Sequence, residues 1–398
     1  MKRFILYATL LLFFSIFLLF VVYIAIGATV PTYKNSVGNL NHIEKITGMY
    51  LLKQSAAQGD NLIIYGSSEL RTTEISTHPS NFFAGNRSGF QVNLVGRGSC
   101  QSLIHAISIA ATGDSLTGQK VVLITSPQSY VEDGIAADLF MANFSKQQYL
   151  ELLQANDVST EVKAYLSARV LELLEQYETE TDSTPDLPIR YLAESYANPT
   201  PVYSLRRVLL MPYYAFSRYL YDLDDKTSAR SLLKSVDKIT LFPSPDKIDW
   251  PEESATALAE AERMTENNDF GMLDDYYTTY IGTRISRQEG KDRGLYYSVS
   301  REYDDLRILL ETCRQKGIEP LFVHVPLHGQ WSDYTGFPAE RRNDYYNNVR
   351  DIVTEYGVEM LDLTAHEYNK YFLCDVMHLG WKGWLEVDKA LIEYYYER

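Results

Sequence analysis

The chain has 398 residues, enough for two or three domains or for one large domain with an insertion. Apolar residues make up 45% and charged residues 22%, an ordinary globular balance. The formal charge of −15 argues against a nucleic-acid partner, because phosphate binding needs a basic footprint. Cys100, Cys313 and Cys374 are far apart and odd in number, with no CxxC spacing. They offer neither a zinc cluster nor a disulfide framework, and no metal or organic cofactor is expected. Tyrosine is abundant, 31 copies against 16 Phe, which suits wet clefts as well as a tyrosine-rich core.

Residues 4–26 are almost wholly apolar and uncharged, behind Lys2 and Arg3. A run of about 20 such residues crosses the hydrocarbon core as a helix, and positive charge on the short flank keeps that flank in the cytoplasm. The expectation is an uncleaved single-pass anchor over residues 1–30, with residues 31–398 outside the cell. The alternative is a cleaved signal peptide, whose apolar core is usually shorter, about 7–15 residues.

Further along, residues 62–65, 121–125, 321–325 and 358–363 are short apolar runs bounded by turn residues, the signature of buried parallel strands. After Ser300, the apolar residues Leu306, Leu309, Leu310 and Cys313 keep helical spacing, with Gly317 as the stop. Tyr346, Val349, Val353 and Tyr356 do the same before Gly357. Alternating strands and helices predict an α/β fold with a parallel sheet flanked by helices. From about 145 to 285 the pattern changes to a mainly helical insertion. Its stripe of Val162, Tyr165, Leu166, Val170, Leu173 and Leu174 faces one way, and a Pro-rich loop over 242–251 follows.

Gly66-Ser67-Ser68-Glu69-Leu70 directly follows the first strand. A strand, a glycine turn and a serine opening a helix would lift the hydroxyl to the carboxyl edge of the sheet. There the N–H groups of the new helix face a developing oxyanion. A serine at such a turn also serves simply as an N-cap. Near the other end, Asp375-Val376-Met377-His378 places a carboxylate beside an imidazole, so that Nδ1 is fixed and Nε2 faces outward as a base. It follows the last strand and so shares an edge with Ser68. Gly96-Arg97-Gly98-Ser99 follows an apolar run at 92–95, Ser126-Pro127-Gln128 follows the strand at 121–125, and Gln128 carries an amide donor. Trp331, Asp333 and Tyr334 follow the strand ending at Val325 and are candidates for a polar acceptor groove. His324, His42, His78, His105 and His366 read as ordinary structural histidines.

Together these blocks resemble the SGNH hydrolase superfamily and, more closely, the DltD family of D-alanyl transfer proteins. The resemblance rests on the N-terminal anchor, Gly66–Leu70, His78-Pro79-Ser80-Asn81-Phe82-Phe83, Gly96-Arg97-Gly98, Ser126-Pro127-Gln128, Trp331-Ser332-Asp333-Tyr334-Thr335-Gly336 and the Asp375–Trp384 block. It implies a flavodoxin-like sheet and a serine-dependent O-acyltransferase. Ser68 would be the nucleophile, His378 the base and Asp375 its orienting carboxylate, with Gly66, Gly98 and Gln128 at oxyanion or substrate positions. Gln128 stands where the wider superfamily has Asn, and Ser67 where it has Asp. The implied reaction is D-alanyl transfer to lipoteichoic acid at the outer membrane face through a D-alanyl-serine ester. The implied partners are a membrane O-acyltransferase, a D-alanyl carrier protein and a small membrane peptide. An esterase or thioesterase using water, or a non-enzymatic scaffold, are the alternatives.

Overall fold

In the computed structural model, residues 2–71, 73–85, 87–241 and 248–397 are described. Five short strands form one parallel sheet: β1 (Asn61–Tyr65), β2 (Gln91–Val95), β3 (Lys120–Thr125), β4 (Glu319–His324) and β5 (Glu359–Asp362). Their order is β2-β1-β3-β4-β5, the doubly wound arrangement in which the chain reverses direction across the sheet beside β1. Because side chains alternate along a strand, Ile63, Tyr65, Val121, Leu123 and Phe322 share one face. They pack there with the helices Tyr50–Gln58, Ser102–Ala111, Glu302–Gln315 and Ala339–Glu355. Leu62, Ile64, Val122, Ile124, Leu321 and Val323 point the other way, under Trp250–Met264 and Trp381–Tyr396. With both faces covered, the inner strands are apolar almost throughout, whereas β5, at the edge, is only partly buried and carries Glu359 and Asp362. Four of the five strands are legible in the sequence.

β2 is the exception. The sequence marks residues 92–95 only as an apolar run before a glycine loop. In the structure Gln91 and Asn93 are buried as well, and all five residues pair with β1. Gln91 escapes the cost of burial by donating to Phe83 O (2.7 Å) and accepting from Asn39 Nδ2 (3.1 Å).

Between β3 and β4 the described residues form helices and turns, without a strand. The main helices are Lys146–Gln154, Thr160–Thr181, Leu187–Ala197 and Pro201–Ser235. Val162, Leu166, Val170, Leu173 and Leu174 are buried, and Tyr165 is half-buried against them. Of the Pro-rich loop, residues 242–247 lie outside the described ones. Trp250 and Pro251 belong instead to a helix, capped by Asp249, whose side chain accepts from Glu252 N–H (3.2 Å). At the N-terminus a helix runs from Lys2 to Thr29. Its part Thr9–Thr29 is long and apolar enough to cross a membrane, with a mean hydropathy of 2.9.

Candidate active site

The site lies at the carboxyl end of β1. Gly66 turns the chain out of the strand, and its N–H donates to Val95 O (3.2 Å). This corrects the expectation that Gly66 helps hold an oxyanion, because its donor is already engaged in the sheet. What needs glycine here is the close approach. Gly96 has φ +150°, and a Cβ there would sit 1.8 Å from Gly66 O. A second correction concerns the serine. Ser68–Leu70 is a single 3-10 turn, not the start of an α-helix, so no helix N-terminus faces Ser68.

Ser67 and Ser68 point to different tasks. Ser67 is buried. Its N–H donates to Glu69 Oε1 (2.6 Å), and its hydroxyl accepts from Ser99 N–H (3.1 Å). That bond holds Ser99 at φ +68°, a left-handed conformation costing about 1–2 kcal/mol. Ser68 Oγ instead lies 2.8 Å from His378 Nε2. His378 Nδ1 is 2.6 Å from Asp375 Oδ2, and Asp375 Oδ1 accepts the N–H groups of Met377 (2.9 Å) and His378 (2.8 Å). The loop carrying them is closed by Cys374 N–H donating to His378 O (2.9 Å). A hydroxyl, an imidazole and a carboxylate in series can move a proton off the hydroxyl while the imidazolium is held in place.

The relay opens into a cleft of about 490 Å³ whose lining includes Ser68, Arg71, Glu74, Leu273, Tyr276 and Tyr280. The model of the DltD protein family matches residues 41–396. Protein DltD of Bacillus subtilis (strain 168) is 34% identical over 351 residues, covering 87% of this chain and 86% of that protein. Protein DltD of Staphylococcus aureus (strain NCTC 8325 / PS 47) is 28% identical over 333 residues, 83% and 80% of the two chains. That of Lacticaseibacillus rhamnosus is 26% identical over 345 residues, 85% and 78%.

The chain belongs to the DltD family.

The other expected site residues of this DltD-family chain fall in three places. Gly98 is beside the serine, since a Cβ there would lie 4.0 Å from Ser68 Cβ. Among the described residues, neither its N–H nor that of Ser68 has an acceptor. Its carbonyl is fixed by Asn143 Nδ2 (3.1 Å), and Asn143 Oδ1 accepts from Arg97 Nε (2.7 Å). Gln128 is exposed after β3 and does not line the cleft. Trp331, Asp333 and Tyr334 do not line it either. Trp331 is buried with Met272 and Ile281, behind the Tyr276 wall. Tyr334 donates to Ile285 O (3.0 Å), and Asp333 is tied to Arg342 and Tyr368. Their short helix, Gly329–Thr335, supports the cleft from outside. Beyond Ser68, Asp375 and His378, the cleft is lined by Tyr276 and Tyr280, which the sequence places only within the mainly helical stretch at 145–285 and does not mark as site residues.

Among the histidines, His78 and His105 are buried, and burial pulls both down to about 4. His78 Nε2 lies 3.0 Å from Glu69 O and steadies the serine turn. His324 is fully buried, with neither ring nitrogen hydrogen-bonded among the described residues and Asp362 at 3.9 Å. Burial opposes protonation of His378, yet the hydrogen bond and charge of Asp375, with Glu69 adding, outweigh it, so its pKa is raised. Burial likewise opposes ionisation of Asp375, but His378 and the two N–H groups leave its pKa lowered. Glu69 was not anticipated. It is buried in the serine turn, burial raises its pKa, and its charge acts on His378. Glu69→Gln preserves the acceptor for Ser67 N–H but removes that charge. The acid limb of the pH–rate profile, which reports neutral His378, is expected to move to lower pH. An unmoved limb would show Glu69 to be electrically silent.

Proposed function

We propose that the chain transfers D-alanyl groups to lipoteichoic acid through an ester on Ser68. The observation that carries this reading is the 2.8 Å contact between Ser68 Oγ and His378 Nε2 at the mouth of the cleft, in a chain of the DltD family. Nε2 takes the Ser68 proton as Oγ attacks the D-alanyl carbonyl, and Asp375 stabilises the imidazolium. The free N–H groups of Ser68 and Gly98 are the candidate donors to the oxyanion. His378 then returns the proton to the departing group, and a glycerol hydroxyl of the polymer attacks the ester with His378 again as base.

Two further cleft residues fit these substrates. Arg71 and Glu74 are exposed and make no ion pair among the described residues. A guanidinium suits the phosphates of poly(glycerol phosphate), and a carboxylate suits the ammonium of a D-alanyl group. Arg71→Ala is expected to raise KM for poly(glycerol phosphate) about tenfold more than KM for glycerol, the weight of one charged contact. Equal effects on both acceptors would remove Arg71 from polymer binding.

Transfer and hydrolysis share the relay. Adding poly(glycerol phosphate) to a D-alanyl ester should divert product from free D-alanine to polymer ester. No diversion at saturating polymer would favour an esterase. The same reading has the anchor helix across the membrane with the cleft outside, and its partners are the membrane O-acyltransferase, the D-alanyl carrier protein on the cytoplasmic side and a small membrane peptide. A cysteine at Val299, which is 59% exposed, should then react with an impermeant maleimide on intact cells, against native cysteines that are all buried. Labelling only after lysis would reverse the orientation.

A further inference from the structure

The helix Pro201–Ser235 presents two apolar faces. One is used: Tyr214 is buried, and Leu210 and Tyr221 pack against the main core. The other holds Val202, Leu205, Leu209, Tyr213, Phe216 and Leu220, spaced three or four residues apart and so aligned in one stripe. These six are exposed, from 72% at Val202 to 40% at Leu220. A continuous row of large apolar side chains of this kind marks a contact surface.

The stripe runs up to the anchor helix. Tyr219 hydroxyl donates to Leu19 O, the Tyr23 and Tyr219 rings lie 5.2 Å apart, and Lys226 Nζ donates to Tyr23 hydroxyl (2.5 Å). Leu19 lies about 10 Å along the helix axis from Ile26, the outer end of the apolar run. With a hydrocarbon core about 30 Å thick, the point where the two helices touch lies inside the outer leaflet. The neighbouring part of the long helix cannot then face water alone. Its basic residues up to Lys226 are already partnered, as a low-dielectric setting requires. Arg206 pairs with Glu194 (2.5 Å), Arg218 with Glu151 (2.9 Å) and Lys226 with Asp222 (2.7 Å), and the Arg207 guanidinium covers the Tyr196 ring at 4.6 Å.

We infer that the Val202–Leu220 stripe is immersed in the acyl chains of the outer leaflet, a second membrane attachment beside the anchor. This rests on the anchor reading given above. At Tyr219 the contact lies at the deep end of the roughly 5–10 Å to which interfacial helices sink. The test uses the full chain in vesicles of equimolar phosphatidylglycerol and phosphatidylethanolamine, with single spin labels at L205C, L209C and F216C. L18C in the anchor and V299C are the lipid and water references. Collision with oxygen should exceed collision with a water-soluble nickel chelate severalfold at the three stripe positions, as at L18C, with the reverse at V299C. Nickel access at the stripe while L18C stays in lipid would overturn this inference and leave the anchor standing. Nickel access at L18C as well would overturn both. Labels shielded from both reagents would mean that a second copy covers the stripe, which also overturns contact with lipid.

Discussion

Ser68→Ala is expected to abolish D-alanine esterification and reaction with a fluorophosphonate probe, whereas Ser67→Ala keeps both. The two serines are neighbours in one turn, so residue type alone does not choose between them. Ser68 Oγ touches the imidazole, while Ser67 Oγ accepts from Ser99 N–H and lies 3.4 Å from Arg97 O. Removing a nucleophile costs several orders of magnitude in rate. Removing the Ser67 hydroxyl loosens the Gly98 loop, at about 1 kcal/mol and about tenfold or less in rate. The reverse pattern would reassign the nucleophile. Mild, equal losses would end the case for an acyl-serine and favour a scaffold.

The second large effect belongs to the carboxylate. Asp375→Asn should lower kcat by about 10⁴-fold, the usual cost when a serine relay loses the group that fixes its imidazole. It should also move the acid limb to lower pH. The sign follows from the pair. Asp375 raises the His378 pKa, so replacing it by an amide lets the imidazole lose its proton more easily. Stability should respond too. The raised His378 pKa contributes stability below the ordinary histidine value, and this is lost as pH rises through the folded value. The lowered Asp375 pKa contributes above the ordinary carboxylate value and is lost as pH falls through its folded value. The variant's stability should therefore vary less over both windows. His378→Ala should be equally inactive yet folded, because its side chain packs little. A sharp fall in melting temperature with activity per folded molecule intact would make His378 structural.

The parts of the site that were legible in the sequence are those fixed by local patterns. An apolar strand followed by Gly66-Ser67-Ser68, and an Asp-x-x-His after the final strand, each carry their geometry within a few residues. Parallel strands then put both at one edge. What escaped has non-local causes. Glu69 stands in the serine motif with no role of its own until the Ser67 N–H and the His78 ring enclose its turn. Gln91 and Asn93 disguise β2, and the burial of Gln91 depends on Asn39 and Phe83, partners that local spacing does not reveal. Trp331, Asp333 and Tyr334 have the composition of a groove, but Trp331 and Tyr334 pack into the Met272 cluster and Asp333, though exposed, is held by Arg342 and Tyr368. The helix Pro201–Ser235 continues through Pro212, where local propensity would end it, with Leu210 and Tyr214 packed on the main core before and after the proline.

The hydroxyl and the imidazole of the relay are 310 positions apart in the chain. Ribosomes work from the N-terminus, so the serine turn exists throughout most of elongation with no base to activate it. His378 is itself held by a loop that closes against the last helix, Trp381–Tyr396, which is built afterwards. A nascent or truncated chain therefore carries an inert hydroxyl. On the proposed acyl-serine reading, the hydroxyl gains its base only once residues 375–396 have been made and docked, so ordered synthesis itself acts as a safety catch.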